Sequence, residues 1–216
     1  MTYTPLCYPK IPDSQSAPLK RCIAFEKCDG TNLHWVWDPE LGWYEFGMRR
    51  SRFDLDDTGK RDFDANHPGY EDAPEIFRET LAGPLETVFR EVPGYGCSEV
   101  TVFTEYFGAS SFAGLHKAGE PKQLVLFDVQ IESGIIGPGQ FVADFGHLNT
   151  PRILYRGKLT GRFADDVREG RFNVTEGVVC KGGNGGTDLW MVKIKTNRYM
   201  ERLKQAFANE WEKYWE

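Results

Sequence analysis

Apolar positions along the chain fall mostly into short β-branched and aromatic runs. Over 21–27, "RCIAFEK" reads as a buried strand. "NLHWVWD" (32–38) and "GWYEFGMRR" (42–50) are apolar-aromatic runs joined by the turn composition "PELG", which predicts a β-hairpin. "EVTVFTEYFG" and "QLVLFDVQI" are strands by their β-branched and aromatic content, and "TPRILYRGKL" is a further candidate. "TEGVVCK" and "LWMVKIKT" are short strands joined by the glycine-rich "GGNGGTD".

Helical spacing occurs twice. In "APEIFRETLAGPLETVFREV" it places Ile76, Phe77, Leu81, Leu85, Val88 and Phe89 together, and Gly83-Pro84 is expected to break or kink that helix. In the tail, Tyr199, Leu203, Phe207, Trp211 and Tyr214 or Trp215 make one apolar stripe, predicting an amphipathic helix over about 197–216. Strands arranged as hairpins with few helices predict an α+β fold of antiparallel sheets. With no linker composition, we expect a single domain over 1–216.

The 216 residues are 40% hydrophobic and 27% charged, within the ordinary globular range. No apolar run reaches the roughly 20 residues of a membrane span. The N-terminus lacks a basic segment followed by an apolar one, so no secretory signal is expected. Five cysteines, odd in number and without C-x-x-C, favour reduced thiols and a cytoplasmic location.

A net charge of −6 argues against a protein that simply coats nucleic acid. The distribution is uneven. Residues 54–91 carry eleven acidic and four basic side chains, whereas 151–204 carry twelve basic and six acidic. The basic half can meet phosphates.

Several local patterns lead nowhere. "DLDDTG" begins like a calcium loop, but its twelfth position is Ala65 where a glutamate is needed, so it reads as a solvated acidic loop. "KGGNGGTD" lacks the Gly-Lys-Ser/Thr of a phosphate loop. The four histidines (His34, His67, His116 and His147) have no ligand spacing and read as surface or packing residues.

Lys27 is different in context: it ends an apolar strand and precedes Asp29-Gly30. Lys27-Cys28-Asp29-Gly30, "TEYFG" with Glu105, "LFDV" with Phe127 and Asp128, "TEGVVCK" with Glu176 and Lys181, and "VKIKT" with Lys193 and Lys195 follow one another in order. This set resembles the covalent nucleotidyltransferase superfamily of ATP-dependent RNA and DNA ligases and mRNA-capping guanylyltransferases. "EKCDGTN", with Thr31 and Asn32, and the upstream "YPKIPDS" are similar to the RNA-ligase branch. "MRRSR" lies where the family has an arginine. That arginine precedes a small hydroxyl residue, which selects Arg50 over Arg49 and Arg52; alternation would put Arg50 and Arg52 on one face. About twenty residues follow Lys195, so no separate C-terminal substrate domain is expected.

The resemblance implies a nucleotidyltransferase (ligase adenylation) domain, with Lys27 as nucleophile toward ATP. It implies catalytic roles for Lys27, Asp29, Lys193 and Lys195. It implies nucleotide contacts from Glu26, Lys27, Cys28, Asn32, Arg50, Glu105, Phe127, Glu176, Lys181, Lys193 and Lys195. Mg²⁺ would be met by Glu176 through water. The substrates implied are RNA ends, in RNA repair, with a partner protein or a second copy supplying further RNA contacts and no membrane association.

Residue chemistry agrees with this. An attacking amine must be deprotonated, and lysine ordinarily titrates near about 10.4. Desolvation and neighbouring cations lower that value, whereas arginine stays protonated. An aromatic such as Phe127 offers adenine a stacking face, and Lys193 and Lys195, two apart in a strand, face one side. DNA nick joining, GMP-transferring capping and a non-catalytic nucleotide-binding subunit of an RNA repair complex remain the alternatives.

Overall fold

The computed structural model describes residues 7–15, 17–107 and 119–207. It contains two antiparallel sheets with flanking helices, the α+β class expected. The chain divides into two compact units. One takes Gly30–Ile136 and Gln140–Thr150 with the segment up to Pro9. The other takes Lys10–Asp29, Gly137–Gly139 and the chain from Pro151.

The first unit holds β2 (Thr31–Asp38), β3 (Gly42–Met48), β4 (Arg52–Asp54), β5 (Val100–Phe107), β6 (Gln123–Ile131) and β7 (Gly134–Ile135), in the order β4-β3-β2-β5-β6-β7. The expected hairpin of β2 and β3 is present, pairing Leu33 with Met48 through to Asp38 with Gly42. Because strand side chains alternate, Leu33, Trp35 and Trp37 share one face of β2, and all three are fully buried. Trp35 stacks on Phe77 with centroids 4.0 Å apart, and Trp37 packs on Phe89 at 5.2 Å.

Those partners come from a helical run whose spacing the sequence displays: α2 (Ala73–Phe77), a π-helical turn over Arg78–Ala82, and α3 (Gly83–Glu91). The expected break at Gly83-Pro84 is absent. Proline lacks an N–H and crowds the carbonyl four residues back. Here the preceding turn widens to the π form while Arg78, Ala82 and Gly83 all stay helical, so the apolar face continues across it.

Nor is "DLDDTG" merely a solvated loop. Asp56 caps α1 (Asp57–Asn66), its side chain accepting from the backbone N–H of Thr58 and Gly59. Phe63 of α1 packs on Phe46 of β3 at 4.9 Å.

The second unit holds β1 (Arg21–Lys27), β8 (Ile153–Lys158), β9 (Gly177–Gly182) and β10 (Trp190–Lys195), in the order β10-β9-β1-β8. Helix α5 (Gly161–Arg168), capped by the Thr160 hydroxyl, sets Phe163, Ala164 and Val167 against Cys22 and Ala24 of β1, Val178 and Cys180 of β9, and Val192 and Ile194 of β10. That is the α5-facing side of β1, β9 and β10. Helix α6 (Asn197–Phe207) follows β10 directly and buries Tyr199 and Leu203; the expected continuation of its stripe to Trp211, Tyr214 and Trp215 lies outside the described residues. Helix α4 (Pro138–Phe145) lies mostly in the first unit, where it buries Phe141 and Phe145.

All five cysteines are free thiols. Among the described residues no helix is long and apolar enough to cross a membrane.

Candidate active site

Alternation decides what the second unit's sheet presents. With Cys22, Ala24, Val178, Cys180, Val192 and Ile194 turned to α5, the intervening residues face the other way. Register fixes their rows. Lys27 pairs with Gly177, and Gly177 with Lys195; Phe25 pairs with Val179, and Val179 with Lys193; Ile23 pairs with Lys181. Lys27, Lys181, Lys193 and Lys195 therefore stand on one face, as the sequence spacing predicts for the last two.

Glu176, immediately before β9, is the carboxylate that meets them. Its Oε2 lies 2.9 Å from Lys27 Nζ and its Oε1 3.2 Å from Lys195 Nζ, with the glutamate side chain only 3% exposed. Gly177 lets this happen. A Cβ there would fall 2.0 Å from the Ile194 carbonyl oxygen, so any side chain would push β9 and β10 apart beside the two lysines. Thr196 ties the same corner, donating its backbone N–H to the Glu176 carbonyl at 2.8 Å.

Burial shifts Lys193 and Lys195 toward neutrality. Lys193 is pushed down to about 8, first by burial and then by the charges of Lys195, Lys27 and Lys10, with Glu176 opposing. Burial also lowers Lys195, partly offset by Glu176. Lys181 is buried, with its ammonium 5.4 Å above the Phe25 ring.

Asp29 is buried and accepts a hydrogen bond from the Tyr199 hydroxyl at 2.8 Å. Lys195 Nζ stands 5.0 Å over the same tyrosine ring. Tyr199 thus joins the cluster, although the sequence shows it only as a member of the helical stripe; no spacing signal marks its hydroxyl. Glu26 alternates with Lys27 and pairs with Arg152 at 2.6 Å, and the Cys28 thiol lies 3.9 Å from the Glu26 carbonyl oxygen.

In the first unit, Asn32 of β2 and Glu105 of β5 are direct cross-strand partners. Glu105 accepts from the Gly30 backbone N–H at 3.0 Å. Gly30 has no room for a side chain: a Cβ would sit 2.4 Å from the Tyr106 carbonyl oxygen and 2.9 Å from Glu105 Cγ.

Phe127 occupies a β-bulge. Phe103 pairs with Asp128 and Thr104 with Leu126, which leaves Phe127 as the extra residue, re-aimed out of the ladder. It is half-buried, with Tyr8 edge-on at 5.1 Å. The Tyr8 hydroxyl donates to Asp128, and burial followed by that carboxylate raises the tyrosine pKa well above its usual value. Tyr8 belongs to "YPKIPDS", which the sequence marks as a whole without singling it out.

Arg50 lies, exposed, in the turn between β3 and β4 together with Arg49 and Ser51. The strand alternation expected to group Arg50 with Arg52 does not apply there, and Arg52 is paired with Glu45 at 3.2 Å.

His34 is 1% exposed and held neutral by burial, titrating at about 4, and His67 meets the Ser51 hydroxyl at 3.1 Å. Among the described residues no three acidic, histidine or cysteine side chains converge to cage a metal. Among the same residues, the carboxylates buried in the second unit are Asp29 and Glu176, oxygen donors of the kind a hard cation takes.

No protein-family model matches the chain, and no curated protein does. Solved structures do. An archaeal ATP-dependent RNA ligase superposes with a TM-score of 0.64 at 17% identity, over 94% of this chain and 52% of that one. An apo variant of the Naegleria gruberi RNA ligase gives 0.63 at 14% identity, covering 93% of this chain and 58% of that one. A variant of the same ligase solved with ATP and Mn gives 0.61 at 15%, over 91% and 58%. The chain spans just over half the length of these solved chains. At such identities the likeness establishes the fold alone, one shared with just over half of each of these RNA ligase chains.

Proposed function

We propose that this chain, which has the fold of ATP-dependent RNA ligases, carries their chemistry as well: Lys27 takes AMP from ATP and passes it to an RNA end. The observation that carries the reading is the four-lysine face with Glu176 bridging Lys27 and Lys195. The unprotonated Lys27 Nζ attacks the α-phosphorus. The bond to the β-phosphate oxygen breaks, pyrophosphate leaves, and the nitrogen gives up a proton as the phosphoramidate forms. A terminal 5′-phosphate oxygen of RNA then displaces the lysine. Finally a 3′-hydroxyl attacks the activated phosphorus and expels AMP.

Lys193 and Lys195 offer charge to the phosphates as negative charge shifts onto the leaving group, and Lys181 extends that field. Glu176 holds the Lys27 amine in place, and Asp29 with Tyr199 fixes the strand end behind it. Mg²⁺ on the triphosphate would neutralise its charge, with Glu176 as a water-bridged contact. The resemblance assigns the nucleoside to Asn32, Arg50, Glu105 and Phe127, with Glu26 and Cys28 as further contacts. The bulged placement of Phe127, which takes its side chain out of the regular strand alternation, supports this. Action in RNA repair, a cytoplasmic location and help from a partner protein or second copy belong to the same proposal.

Incubation with ATP, GTP or NAD, each labelled in its nucleotidyl group, followed by a denaturing gel, separates this reading from capping chemistry and from a binding subunit, and sealing of RNA ends against nicked DNA separates it from DNA nick joining. Label retained from ATP alone supports it. Label from GTP points to capping chemistry, and no label at all points to a binding subunit.

A further inference from the structure

The four strands of the second unit contain seven basic residues: Arg21, Lys27, Arg156, Lys158, Lys181, Lys193 and Lys195. Every one lies on the same face. Arg21 pairs with Lys158 and Ile23 with Arg156, in the register that also sets Ile23 beside Lys181, whereas the face toward α5 receives none of the seven. Lys181 and Lys193 are buried, and the mechanism above uses the four lysines from β1, β9 and β10. Arg21, Arg156 and Lys158 have no part in that mechanism. They are exposed, and among the described residues none of them forms an ion pair.

Edge strands commonly carry charge to block unwanted pairing, and β8 is an edge. That purpose is served by either sign and by the edge strand alone. Here the sign is uniform, and Arg21 extends it onto β1. Counting along β1, Arg156 lies two rows from Lys27 and Lys158 three, about 13 and 20 Å at a strand rise of roughly 3.3 Å per residue. At a rise of about 3.4 Å per nucleotide of a helical strand, the longer distance is on the order of six nucleotides.

We propose that Arg21, Arg156 and Lys158 form a docking strip for the phosphodiester backbone of the RNA substrate. The proposal rests on the RNA-ligase reading and adds where the strand is held. Charge complementarity selects the occupant: three unpaired cations without interleaved aromatics read phosphates and not bases, so the strip contributes affinity independent of sequence.

The test compares the wild-type chain with the variant Arg21→Ala/Arg156→Ala/Lys158→Ala. A short 5′-phosphorylated, fluorescently labelled single-stranded RNA is titrated at several salt concentrations, and self-adenylation is measured in parallel. The expected result is normal adenylation, weaker RNA binding, and a plot of log affinity against log salt shallower by about 2, since each lost single-strand phosphate contact removes roughly 0.7. Unchanged binding and slope in an adenylating variant overturn the strip. So does loss of adenylation in the variant, which would place these residues in the nucleotide chemistry. So does an effect confined to vesicles of phosphatidylserine, which would make the strip a lipid surface. Failure of the wild type itself to adenylate counts against the ligase reading instead, and the RNA titration still reports on the strip.

Discussion

Glu176 holds two lysines at once, Lys27 at 2.9 Å and Lys195 at 3.2 Å, from a position almost closed to solvent. A buried carboxylate between two amines serves both as a structural clamp and as an electrostatic setting. Replacing it with Gln would take a buried negative charge away from both ammonium groups. We expect Glu176→Gln to lower stability by about 1–3 kcal/mol, the usual cost of weakening the partner of a buried hydrogen-bonding group. Self-adenylation should fall more steeply than stability. A melting curve alongside an adenylation time course checks both.

Lys193→Ala and Lys195→Ala should each slow adenylation by about 10²–10³, the typical loss when one preorganised contact to a developing charge is removed. Melting temperature controls for folding. Wild-type rates in both variants would remove the β10 lysines from the phosphate site.

The depressed pKa of Lys193 sets a pH dependence. Its ammonium is present below about 8 and lost as pH rises through that value. Affinity for a non-reactive α,β-methylene ATP should therefore decline between pH 7 and 9. Lys193→Arg, which keeps its charge throughout, should flatten the decline. The stability consequence has the opposite sense: between about 8 and the ordinary 10.5 the unfolded chain binds more protons, so folding stability from this group rises with pH. Identical binding profiles for wild type and Lys193→Arg would show that another group titrates.

Gly30→Ala should destabilise the chain by about 1–3 kcal/mol, because its Cβ would press on the Tyr106 carbonyl oxygen at 2.4 Å, and main chain yields less readily than the tip of a side chain. Chemical denaturation reports this directly.

Truncation before Asn197 removes the buried Leu203 and Tyr199, and with Tyr199 the hydrogen bond to Asp29, so it should lower thermal stability and slow adenylation together. A truncated chain that melts and adenylates as the full chain does, yet no longer seals RNA, would make α6 a substrate or partner surface.

The longer strands were legible because their β-branched and aromatic runs are long, and the shared side of Lys193 and Lys195 followed from a period of two. The two- and three-residue strands β7 and β4, and the placing of Lys27 and Lys181 beside the other two lysines, depend instead on register between strands. The short helices were not legible either. α1 offers a single large apolar residue, Phe63, and α5 only Phe163, Ala164 and Val167, too few to establish a helical period. The widened turn before Pro84 follows directly on Phe77, whose packing against Trp35 and Trp43 sequence spacing does not show. The bulge at Phe127 and the turn at Arg50 are properties of register, set jointly by two strands. Of the candidate cluster, the residue types and their order were readable; the Glu176 clamp and the Tyr199–Asp29 bond required residues 149 and 170 positions apart to meet.

The central claim is that Lys27 is a nucleophile. Intact-mass measurement of the purified chain, first shown to carry no AMP and then incubated with ATP and Mg²⁺, tests it most directly. The account predicts a gain of one adenylyl group, located on Lys27 by peptide mapping and absent from Lys27→Ala. An unchanged mass, or an adenylyl group on another residue that persists in Lys27→Ala, would contradict it.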